Sequence, residues 1–517
     1  MNLADIALRK GQETDRRRKP AFLTALGPVS NAHLQELVRR IALGLREIGV
    51  SPGDRVLLRM TNSVEFAASF LALVWIGGVP VLQNSQFGTG ELEHIAGLTA
   101  PVGILTAVDS PDDISRQLAG SPWRADVGTE GLVGFAHAVE RAKGEWPPLY
   151  DAGRDDPAFI VFTSGTSGRP KGIVHAHRWL EALGDSNRAR IPVQENDVAL
   201  ATGEWSFVSA LGHNVLFPLR NGIAASILEE RPSPDRILKV VARDGVTLLY
   251  SVATLYRRIL GEAEIETRFD VSSLRGVNAT GEPLEASVRD EWSRRFGCPL
   301  WEHFGISEAQ MVLGHGPLVP HRESTVGVAW GVKPVILDNA LKPQPAGTVG
   351  RLGFADDYPG FFLGYIGDDA QTKASLVNGW YLTSDLATID GDGYVAILGR
   401  ADDCFKSKGI LIVPREIEDA LGAPGTFEET CVFPIPDAEI GYRIGVAIVL
   451  RSGTERPDRA SIAALLSGTI APFKFPHDVF VVKQLPKNSN GKTQRSAVRN
   501  AIEADGKNRQ REPSGAS

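Results

Sequence analysis

The sequence predicts an α/β protein with a large N-terminal region and a small α+β domain near its C-terminal end. The chain has 517 residues, which is too long for one ordinary core and favours two or more domains. Segments with helical spacing of apolar residues alternate with short apolar runs typical of strands, as expected for parallel sheets. The pattern changes after Gly399 and Arg400. We therefore expect domains at 1–401 and 402–505, followed by a disordered polar tail at 506–517.

The helix and strand steps can be followed along the chain. Apolar residues recur at helical spacing from about Ala32 to Ile48, and a turn at Pro52 to Asp54 leads into a strand. The uncharged run from Phe66 to Leu82 is broken by glycines and a proline, so it predicts a buried helix passing into a strand and not a membrane span. Two further steps are RILKVVARDG followed by VTLLYSV, and LEASVRDEWSRRFG followed by PLWEHFG. In the C-terminal part we expect helices at about 414–421 and between 458 and 471, with strands near 429–434, 443–450 and 478–483.

Composition and charge narrow the class of protein. Hydrophobic residues make up 43% and charged residues 23% of the chain, which is ordinary for a soluble globular protein. The net charge of −7 argues against a general nucleic-acid binder. Three widely spaced cysteines form no metal-binding pattern, and the charged N-terminus lacks the apolar core of a signal peptide. We expect a cytoplasmic protein with neither a membrane nor a nucleic acid as its partner.

The stretch FTSGTSGRPKG at 162–172 is the strongest single motif. It begins in the apolar run PAFIVF, so a strand runs directly into the loop. Its glycines let main-chain N–H groups approach an anion, its hydroxyl groups add donors, and Lys171 adds a positive charge. The Walker pattern is excluded, because Pro170 precedes this lysine and Gly172 follows it. The loop suits a polyphosphate, although in isolation such a sequence is also compatible with a simple turn.

Further polar clusters follow predicted strands or turns. They are Thr280 to Glu282, Phe304 to Glu308, Tyr381 to Asp385, Gly399 to Asp403, and Leu485 to Lys492. In this order, together with TSGTSGRPKG, they closely resemble the motifs of the adenylate-forming superfamily of acyl-CoA synthetases, peptide-synthetase adenylation domains and firefly-type luciferases. The resemblance covers nearly the whole chain, from GVSPGDRV to NGKTQR. The stretch from Trp205 to Leu260 looks most like the benzoate-CoA ligase branch.

The resemblance implies a fold and an activity. The fold would be α/β, with a large N-terminal region of parallel-rich subdomains plus a β-barrel-like subdomain. A small mobile α+β domain would follow, with Asp402 as the hinge. The activity would be the ATP-dependent formation of an acyl-AMP and transfer of the acyl group, with ATP, Mg²⁺ and coenzyme A as cofactors.

The resemblance also assigns a nucleotide site. The loop from Thr163 to Lys171 would hold the β- and γ-phosphates of ATP, and Glu308 with Thr163 would bind Mg²⁺, a hard ion that prefers oxygen ligands. Asp385 would accept hydrogen bonds from the ribose hydroxyls, with Arg400 beside it. The implied ATP- and AMP-binding residues are Thr163, Ser164, Gly165, Thr166, Ser167, Gly168, Lys171, Gly281, Glu282, Pro283, His303, Phe304, Gly305, Ser307, Asp385, Arg400 and Lys492.

The resemblance assigns the remaining chemistry to the C-terminal part. Lys492 would stand between the attacking carboxylate and the α-phosphate and stabilise the charge of the transition state, with Glu308 and Thr163 as the other catalytic residues. The small domain would then turn about the hinge and bring Lys406, Lys408 and Gly409 to the channel for coenzyme A. In this channel Lys408 replaces the small residue that is usual before the glycine.

The benzoate-like stretch implies an acyl pocket. Its candidate residues are Trp205, Phe207, Val208, Ala210, Leu211, His213, Gln310 and Met311. The apolar candidates are also compatible with plain core, and His213 with a hydrogen-bonded structural role. No acidic residue lies between Trp205 and Leu211, where amino-acid-activating relatives place an aspartate, so an α-amino acid substrate is disfavoured.

The sequence therefore predicts an acid:CoA ligase for an aromatic or bulky cyclic carboxylic acid, acting as a monomer or homodimer. One alternative is an adenylating enzyme that loads the phosphopantetheine of an acyl carrier protein. A luciferase-like oxygenase and a non-catalytic nucleotide-binding regulator are further alternatives. The regulator is disfavoured because Lys171, Glu308, Asp385, Arg400 and Lys492 are all present.

Overall fold

The fold is described from a computed structural model of the chain. It covers residues 1–106, 123–126, 144–164, 170–408, 410–422, 425–437, 439–451, 453–487 and 493–509. Contacts divide the chain into two compact units. The first unit comprises Met1–Pro334 and Phe354–Tyr381, and the second comprises Val335–Gly353 and Leu382–Ser517.

The strands of the described residues are numbered in chain order. The first fifteen are β1 Pro20–Thr24, β2 Gly27–Ser30, β3 Arg55–Arg59, β4 Val79–Leu82, β5 Gly103–Thr106, β6 Trp123–Asp126, β7 Pro157–Ser164, β8 Pro170–Ala176, β9 Val198–Ala201, β10 Ala224–Ser226, β11 Leu248–Ser251, β12 Gly276–Thr280, β13 Leu300–Gly305, β14 Met311–Gly314 and β15 Val328–Ala329. The others are β16 Pro334–Leu337, β17 Gly350–Ala355, β18 Gly364–Tyr365, β19 Leu376–Val377, β20 Trp380–Ile389, β21 Val395–Arg400, β22 Phe405–Ser407, β23 Ile410–Ile412, β24 Phe427–Asp437, β25 Gly441–Leu450 and β26 Asp478–Val482.

The helices alternate with these strands in most of the chain. The α-helices are Leu3–Gln12, Asn31–Glu47, Val64–Trp75, Thr89–Thr99, Trp179–Arg190, Val208–Leu211, Phe217–Asn221, Pro234–Asp244, Ala253–Gly261, Ile265–Arg268, Ala286–Phe296, Asp369–Ser375, Pro414–Gly422, Arg459–Leu466 and Arg495–Arg509. A π-helical turn covers Gly212–Leu216, and a 3₁₀ turn covers Pro472–Lys474.

The uncharged run predicted to be a buried helix passing into a strand has that structure. The helix Val64–Trp75 begins after Ser63, whose hydroxyl accepts a hydrogen bond from the main-chain N–H of Phe66, and every residue of the helix except Glu65 is buried. The chain then turns at two glycines into β4, which is also buried. In the described part of the chain, no helix combines the length and the apolar character that a membrane crossing needs.

A nine-stranded sheet forms the larger of two sheets in the first unit. Its order is β15-β14-β13-β12-β11-β9-β10-β1-β2. All pairs of neighbours within the run from β13 to β1 are parallel, whereas β14 and β2 are antiparallel to the ends of this run. One face packs Leu249 and Val277 against Tyr256 and Trp292, which come from helices that precede and follow β12. Because β12 and β13 are parallel neighbours, with Thr280 opposite His303, the segments that follow them leave the same edge of the sheet.

The second sheet of the first unit has seven strands. Its order is β18-β8-β7-β4-β3-β5-β6, and β7 lies parallel to β4. The strands β7 and β8 form an antiparallel pair in which Thr163 lies opposite Lys171. The predicted glycine-rich loop therefore connects the two strands of a hairpin.

The second unit contains two smaller sheets. In the first, β16, β17 and β20 follow one another, and β21 pairs with β20. In the second, the order is β23-β22-β25-β24, with β26 parallel to β25. The helices and strands predicted after residue 414 are confirmed, although their bounds differ. The first two strands extend two to three residues beyond the predicted bounds, the third ends one residue earlier, and the second helix covers only Arg459–Leu466. The last helix continues to Arg509, so residues 506–509 are helical although the sequence predicted a disordered tail there.

Candidate functional site

The two ends of the predicted phosphate loop lie side by side. The strand β7 ends at Ser164 and β8 begins at Pro170, with Thr163 paired to Lys171 across the hairpin. The residues between them, including Gly165, Thr166, Ser167 and Gly168, lie outside the described residues. The hairpin thus brings the hydroxyl residue and the lysine that flank the loop to one place.

Lys171 is linked to Glu308 through a tyrosine. The Lys171 Nζ lies 5.8 Å from the centre of the Tyr365 ring, which is within the range of a cation–π interaction. The Tyr365 hydroxyl donates a hydrogen bond of 2.5 Å to Glu308 Oε1. Tyr365 belongs to β18, which is the neighbour of β8 in the seven-stranded sheet. The sheet therefore holds the predicted metal ligand near the predicted phosphate lysine.

Burial and the Glu308 carboxylate keep the nearby phenols protonated. They raise the pKa of Tyr365 well above its ordinary value, and burial, followed by the same carboxylate, raises the pKa of Tyr381. A protonated phenol can donate to a carboxylate, so Tyr365 fixes the position of Glu308 at neutral pH.

The sequence does not mark Tyr365 as a functional residue. This tyrosine stands 57 residues after Glu308 and carries no turn or cluster signal in the stretch PGFFLGYIGD. Only the pairing of β18 with β8 places it between the two predicted residues.

The segment predicted on the adenine side begins where β12 ends. Gly281 has a φ of 84°, which a residue with a side chain rarely adopts. The Glu282 carboxylate accepts hydrogen bonds from the main-chain N–H and from the hydroxyl of Thr254, the latter at 3.0 Å. The Glu282 side chain therefore caps the start of the helix Ala253–Gly261, a role that the sequence did not reveal.

Two buried histidines hold the other strand end. His303 is at the end of β13, and its Nε2 lies 3.0 Å from the main-chain oxygen of His315. His175 Nε2 lies 3.0 Å from the main-chain oxygen of Ser307. Burial lowers the pKa of His175 to about 3 and that of His303 well below its ordinary value, so both rings are neutral. A carbonyl can only accept, so each Nε2 carries the proton and fixes the segment from Phe304 to Ser307 from two sides.

Most apolar candidates for the acyl pocket are buried. Trp205 is fully buried and its ring packs against Phe66 and Phe22, with centroid distances of 5.7 and 5.8 Å. Val208, Ala210 and Leu211 are also buried, whereas Phe207 is partly exposed. Trp205 thus has the packing of a core residue, and the sequence could not separate that role from a substrate contact.

The remaining acyl candidates, His213, Gln310 and Met311, make polar, sulfur or ring contacts in or beside the nine-stranded sheet. His213 lies in the π-helical turn, and its ring centroid is 4.2 Å from that of Tyr250 on β11. Gln310 donates a hydrogen bond of 3.2 Å from Nε2 to the hydroxyl of Tyr358. Thr280 at the end of β12 donates to Met311 Sδ at 3.0 Å. These candidates therefore gather near the strand ends that carry the predicted nucleotide segments.

In the second unit, the predicted ribose-binding pair lies on neighbouring strands. Asp385 on β20 is the Cα partner of Arg400 on β21. The main-chain N–H of Asp385 donates to Thr383 Oγ1 at 3.0 Å, and that hydroxyl donates to the main-chain oxygen of Leu352 at 2.7 Å. The β-strand geometry thus places the two predicted residues beside each other, and their role in binding ribose stays a prediction.

The residues predicted for the hinge and the CoA channel lie just beyond this pair. Asp402 is exposed in a turn, and Lys406 is exposed on β22. Lys408 has a φ of 52° in the turn between β22 and β23, and its main-chain N–H donates to the Ile440 oxygen at 3.0 Å. Gly409 and Lys492 lie outside the described residues, so the assignments of both residues stay predictions.

Comparison with protein families finds two matches along the chain. The family described as AMP-binding enzyme matches residues 11–366, and the family described as AMP-binding enzyme C-terminal domain matches residues 416–492. The first match alone covers more than half of the chain.

Individual relatives match over most of their length. A 3-hydroxybenzoate–CoA/4-hydroxybenzoate–CoA ligase of Thauera aromatica is 26% identical, over 98% of this chain and 98% of the relative. An acetyl-coenzyme A synthetase of Pyrobaculum aerophilum is 32% identical, over 95% of this chain and 78% of the relative. The crystal structure of a benzoate CoA ligase from Burkholderia xenovorans LB400 is 25% identical with a TM-score of 0.86, and the match covers 96% of this chain and 100% of that one.

Proposed function

The chain belongs to the family of AMP-binding enzymes, and from this premise we propose that it activates an aromatic or bulky cyclic carboxylic acid for transfer to coenzyme A. It is an AMP-forming acid–thiol ligase of the acyl-CoA synthetase type, as the predicted resemblance to the adenylate-forming superfamily indicated. ATP and coenzyme A are substrates of this family, and the identity of the acid is the proposed part.

The observation that carries the proposed chemistry is the connection from Lys171 through Tyr365 to Glu308. It places a positive charge at the end of a glycine-rich hairpin loop and a fixed carboxylate close by. A polyphosphate needs donors and cations around its oxygens, and a fixed carboxylate can share a cation with those oxygens. Phosphoryl and nucleotidyl transfer depends mainly on such positioning and electrostatic stabilisation.

The residues present fit a magnesium ion that ATP helps to bind. In the described residues, no group of three or more His, Cys, Asp or Glu side chains forms a metal site by itself. Mg²⁺ is usually bound through one or two carboxylates together with substrate phosphates, so Glu308 and the Thr163 hydroxyl suffice as its protein ligands. When bound, the ion neutralises charge on the phosphates of ATP.

The proposed reaction has two halves. In the first, a carboxylate oxygen of the acid attacks the α-phosphorus of ATP, a new O–P bond forms, and the bond to the leaving pyrophosphate breaks. Lys492 is proposed to stabilise the charge that grows in this step, while Asp385 and Arg400 hold the ribose. In the second, the thiol sulfur of coenzyme A attacks the acyl carbon and a C–S bond forms. The bond from this carbon to the AMP oxygen breaks, AMP leaves, and the thiol proton is released to solvent.

Support for an aromatic or cyclic acid comes from two directions. The Thauera relative is named for hydroxybenzoates and the Burkholderia structure for benzoate, whereas the Pyrobaculum relative is named for acetate. The segment from Trp205 to Leu211 carries no acidic side chain that would pair with a substrate ammonium group.

A panel of carboxylic acids tests this function. The purified chain is incubated with ATP, Mg²⁺ and each acid, the acyl-AMP is trapped with hydroxylamine, and acyl-CoA is measured by mass spectrometry. We expect products with ring-bearing acids and much less product with acetate or with α-amino acids. A product with acetate alone, or no ATP-dependent product with any acid, would contradict the proposal.

A further inference from the structure

A group of polar side chains is buried next to the acyl candidates, and we call it the distal polar cluster. It consists of His213, Tyr250, Asn278 and Gln310, whose exposed fractions are 2%, 3%, 0% and 2%. All four belong to the first unit. Buried polar side chains are normally retained where they have a hydrogen-bonding function, so this cluster needs an explanation beyond packing.

The geometry of the sheet brings these side chains together. Tyr250 and Asn278 are Cα partners on the parallel strands β11 and β12, so their side chains stand on the same face. The His213 ring packs on Tyr250 at a centroid distance of 4.2 Å. Arg190 connects the group to Gln310. Its positive charge acts on the pKa of both His213 and Tyr250. The Tyr358 phenol acts on the pKa of Arg190 and also accepts a hydrogen bond from Gln310.

Polar atoms of the cluster lack hydrogen-bond partners among the described residues. They are His213 Nε2, the Tyr250 hydroxyl, both amide atoms of Asn278, and Gln310 Oε1. A buried polar atom without a partner destabilises the folded state, because it has lost its hydrogen bonds to water. Strand pairing and a ring contact bring Tyr250, Asn278 and His213 together, so their unpartnered atoms indicate that a bound molecule supplies the missing partners.

The protonation of His213 defines what kind of partner fits. Its Nδ1 lies 2.8 Å from the main-chain oxygen of Ser209, so Nδ1 carries the proton of the neutral ring. Burial, and next the positive charge of Arg190, lowers the pKa of His213 to about 3. His213 Nε2 is therefore an acceptor, as is Gln310 Oε1, whereas the Tyr250 hydroxyl and the Asn278 amide can also donate.

The charge of the cluster narrows the ligand further. Arg190 is fully buried, and the phenols of Tyr250 and Tyr358 are the titratable groups that act on its pKa. Asp197 and Arg275 also act on Tyr250, but they form an ion pair with each other, so Arg190 is the remaining cation beside the cluster.

The positive charge of Arg190 repels a substrate ammonium group. An anionic oxygen is also disfavoured next to the cluster, because His213 Nε2 and Gln310 Oε1 are acceptors and need a donor. A hydroxyl group, which both donates and accepts, meets these requirements.

The position of the cluster relates it to the proposed acyl site. Asn278 precedes Thr280 by two residues on β12, and the segment predicted on the adenine side begins directly after that strand. At about 3.3 Å per residue, Asn278 lies roughly 7 Å below the strand end. This separation corresponds to the length of an aromatic ring between its carboxyl carbon and a substituent on the far side.

We propose that the distal polar cluster binds a hydroxyl group at the far end of the acid, so that the substrate is a hydroxyl-bearing aromatic or cyclic acid. The inference rests on the proposed function, because it assumes that the acid lies between the nucleotide segments and this cluster. In the complex, the hydroxyl donates to His213 Nε2 and accepts from the Tyr250 hydroxyl or the Asn278 amide.

Matched pairs of acids test the proposal. The kcat/KM values of 3- and 4-hydroxybenzoate and 4-hydroxycinnamate are compared with those of the acids that carry methyl in place of hydroxyl. A site with buried polar groups rejects a ligand that leaves them unpaired, so we expect a preference for at least one hydroxyl acid of more than about tenfold over its methyl partner.

Two tyrosine variants provide the specific readout. Tyr250→Phe removes only the phenolic oxygen and should reduce the hydroxyl-to-methyl preference by about tenfold, mainly through a lower value for the hydroxyl acid. Tyr150→Phe removes a hydroxyl that donates to Asp156 at 3.2 Å, away from the cluster, and should leave the preference unchanged. A merely structural role of Tyr250 would lower the values for both acids of a pair equally.

The outcomes separate this inference from the proposed function. Equal or better use of the methyl acids, or an unchanged preference in Tyr250→Phe, would overturn the role of the cluster and leave an acid:CoA ligase in place. If no acid yields an acyl-AMP, the proposed function fails, and calorimetric titration of the same pairs still tests the cluster. In that titration, tighter binding of the hydroxyl acid to the unaltered chain than to Tyr250→Phe supports it, and equal binding overturns it.

Discussion

At the scale of single residues, the position of the Glu308 carboxylate depends on buried phenols, above all on the hydroxyl of Tyr365. The hydrogen bond from Tyr365 is 2.5 Å long, and the same ring lies 5.8 Å from the Lys171 Nζ. A hydrogen bond to a charged group contributes more than one between neutral groups. The Tyr365 phenol therefore helps to hold the Glu308 carboxylate in place.

We predict that Tyr365→Phe impairs adenylation. Loss of a hydrogen bond to a charged group is expected to cost about 1.5–3 kcal/mol, which corresponds to a fall in kcat/KM for ATP of roughly 10- to 100-fold. The Mg²⁺ concentration for half-maximal rate should rise, because the freed carboxylate is less well placed for the ion. Both quantities can be measured by pyrophosphate release. Tyr442→Phe, at a ring that is 38% exposed in the second unit, is the control, and an equal loss there would contradict the role of Tyr365.

Residue roles could be predicted from the sequence only where a motif carries them. Thr163, Lys171 and Glu308 can be selected as candidates because each stands in a short pattern of glycines, hydroxyls or acids, and their roles stay predictions. Tyr365 has no such pattern, since its partner is 57 residues away and is reached only through strand pairing. Asn278 did give a signal, a polar side chain inside the apolar strand GVNAT, but the sequence could not show which residues face it.

At the scale of elements, the turn between β22 and β23 is built on an unfavourable residue. Lys408 has a φ of 52°, in the left-handed region that favours glycine. Its neighbours Ser407 and Ile410 pair with each other, so the turn is tight and its geometry is set by the strands. Position 408 carries a lysine although its left-handed backbone conformation is less costly for glycine.

We predict that Lys408→Gly does not destabilise the protein and raises the free energy of unfolding by up to about 1 kcal/mol. The change relieves the left-handed conformation, and a urea titration measures it. Lys406→Gly is the matched control, because Lys406 is exposed and lies in β22, where glycine should cost about 0.5–1 kcal/mol. If both variants lose stability equally, the conformation of Lys408 is not strained.

Most elements could be predicted because their signals are local. Helical spacing and a proline-glycine turn predicted the helix Asn31–Glu47 and β3, and the glycines after Trp75 separated a buried helix from β4. The capping of the helix Ala253–Gly261 by Glu282 could not be predicted, because the carboxylate and the helix start are 28 residues apart. Contacts between distant elements can be predicted only when the order of strands in the sheet is known, and no local sequence pattern gives that order.

At the scale of the whole molecule, buried histidines make stability depend on pH. Burial lowers the pKa of His175 and His213 to about 3, and of His177 and His315 to about 4, from an ordinary value of 6.5. All four are neutral in the folded chain, so below pH 6.5 the unfolded chain binds more protons. Their contribution to stability is complete above pH 6.5 and is lost as the pH falls through about 4 for His177 and His315 and about 3 for His175 and His213.

We predict that the free energy of unfolding falls steeply between pH 6.5 and pH 5, with each histidine contributing up to about 1.4 kcal/mol per pH unit. Urea titrations at several pH values measure this slope. His177→Gln removes one buried group and should make the slope shallower, whereas His33→Gln changes an exposed histidine and should not. A slope that is the same in all three proteins would show that these histidines do not set it.

The proposed division between the two half-reactions gives a second prediction at this scale. Lys492→Ala should lower the rate of adenylation by about 100- to 1000-fold, since it removes positive charge from the transition state, and should leave thioester formation from presynthesised acyl-AMP largely intact. Each half-reaction is measured separately in a stopped assay. Lys487→Ala is the control, because this lysine pairs with Glu429 at 2.7 Å and has no proposed role in the chemistry. An equal loss of both half-reactions would contradict the assignment of Lys492.

The second unit is assembled from two separate stretches of chain, and this has a consequence for its synthesis. Residues Val335–Gly353, which contribute β16 and β17, leave the ribosome before the rest of their unit, whereas β20 and β21 follow only after residues of the first unit have intervened. During translation β16 and β17 can pair with each other, but the other edge of β17 has no partner until β20 emerges. A truncated chain that starts at residue 402 would lack all four strands, so a fragment that preserves this unit must include both stretches.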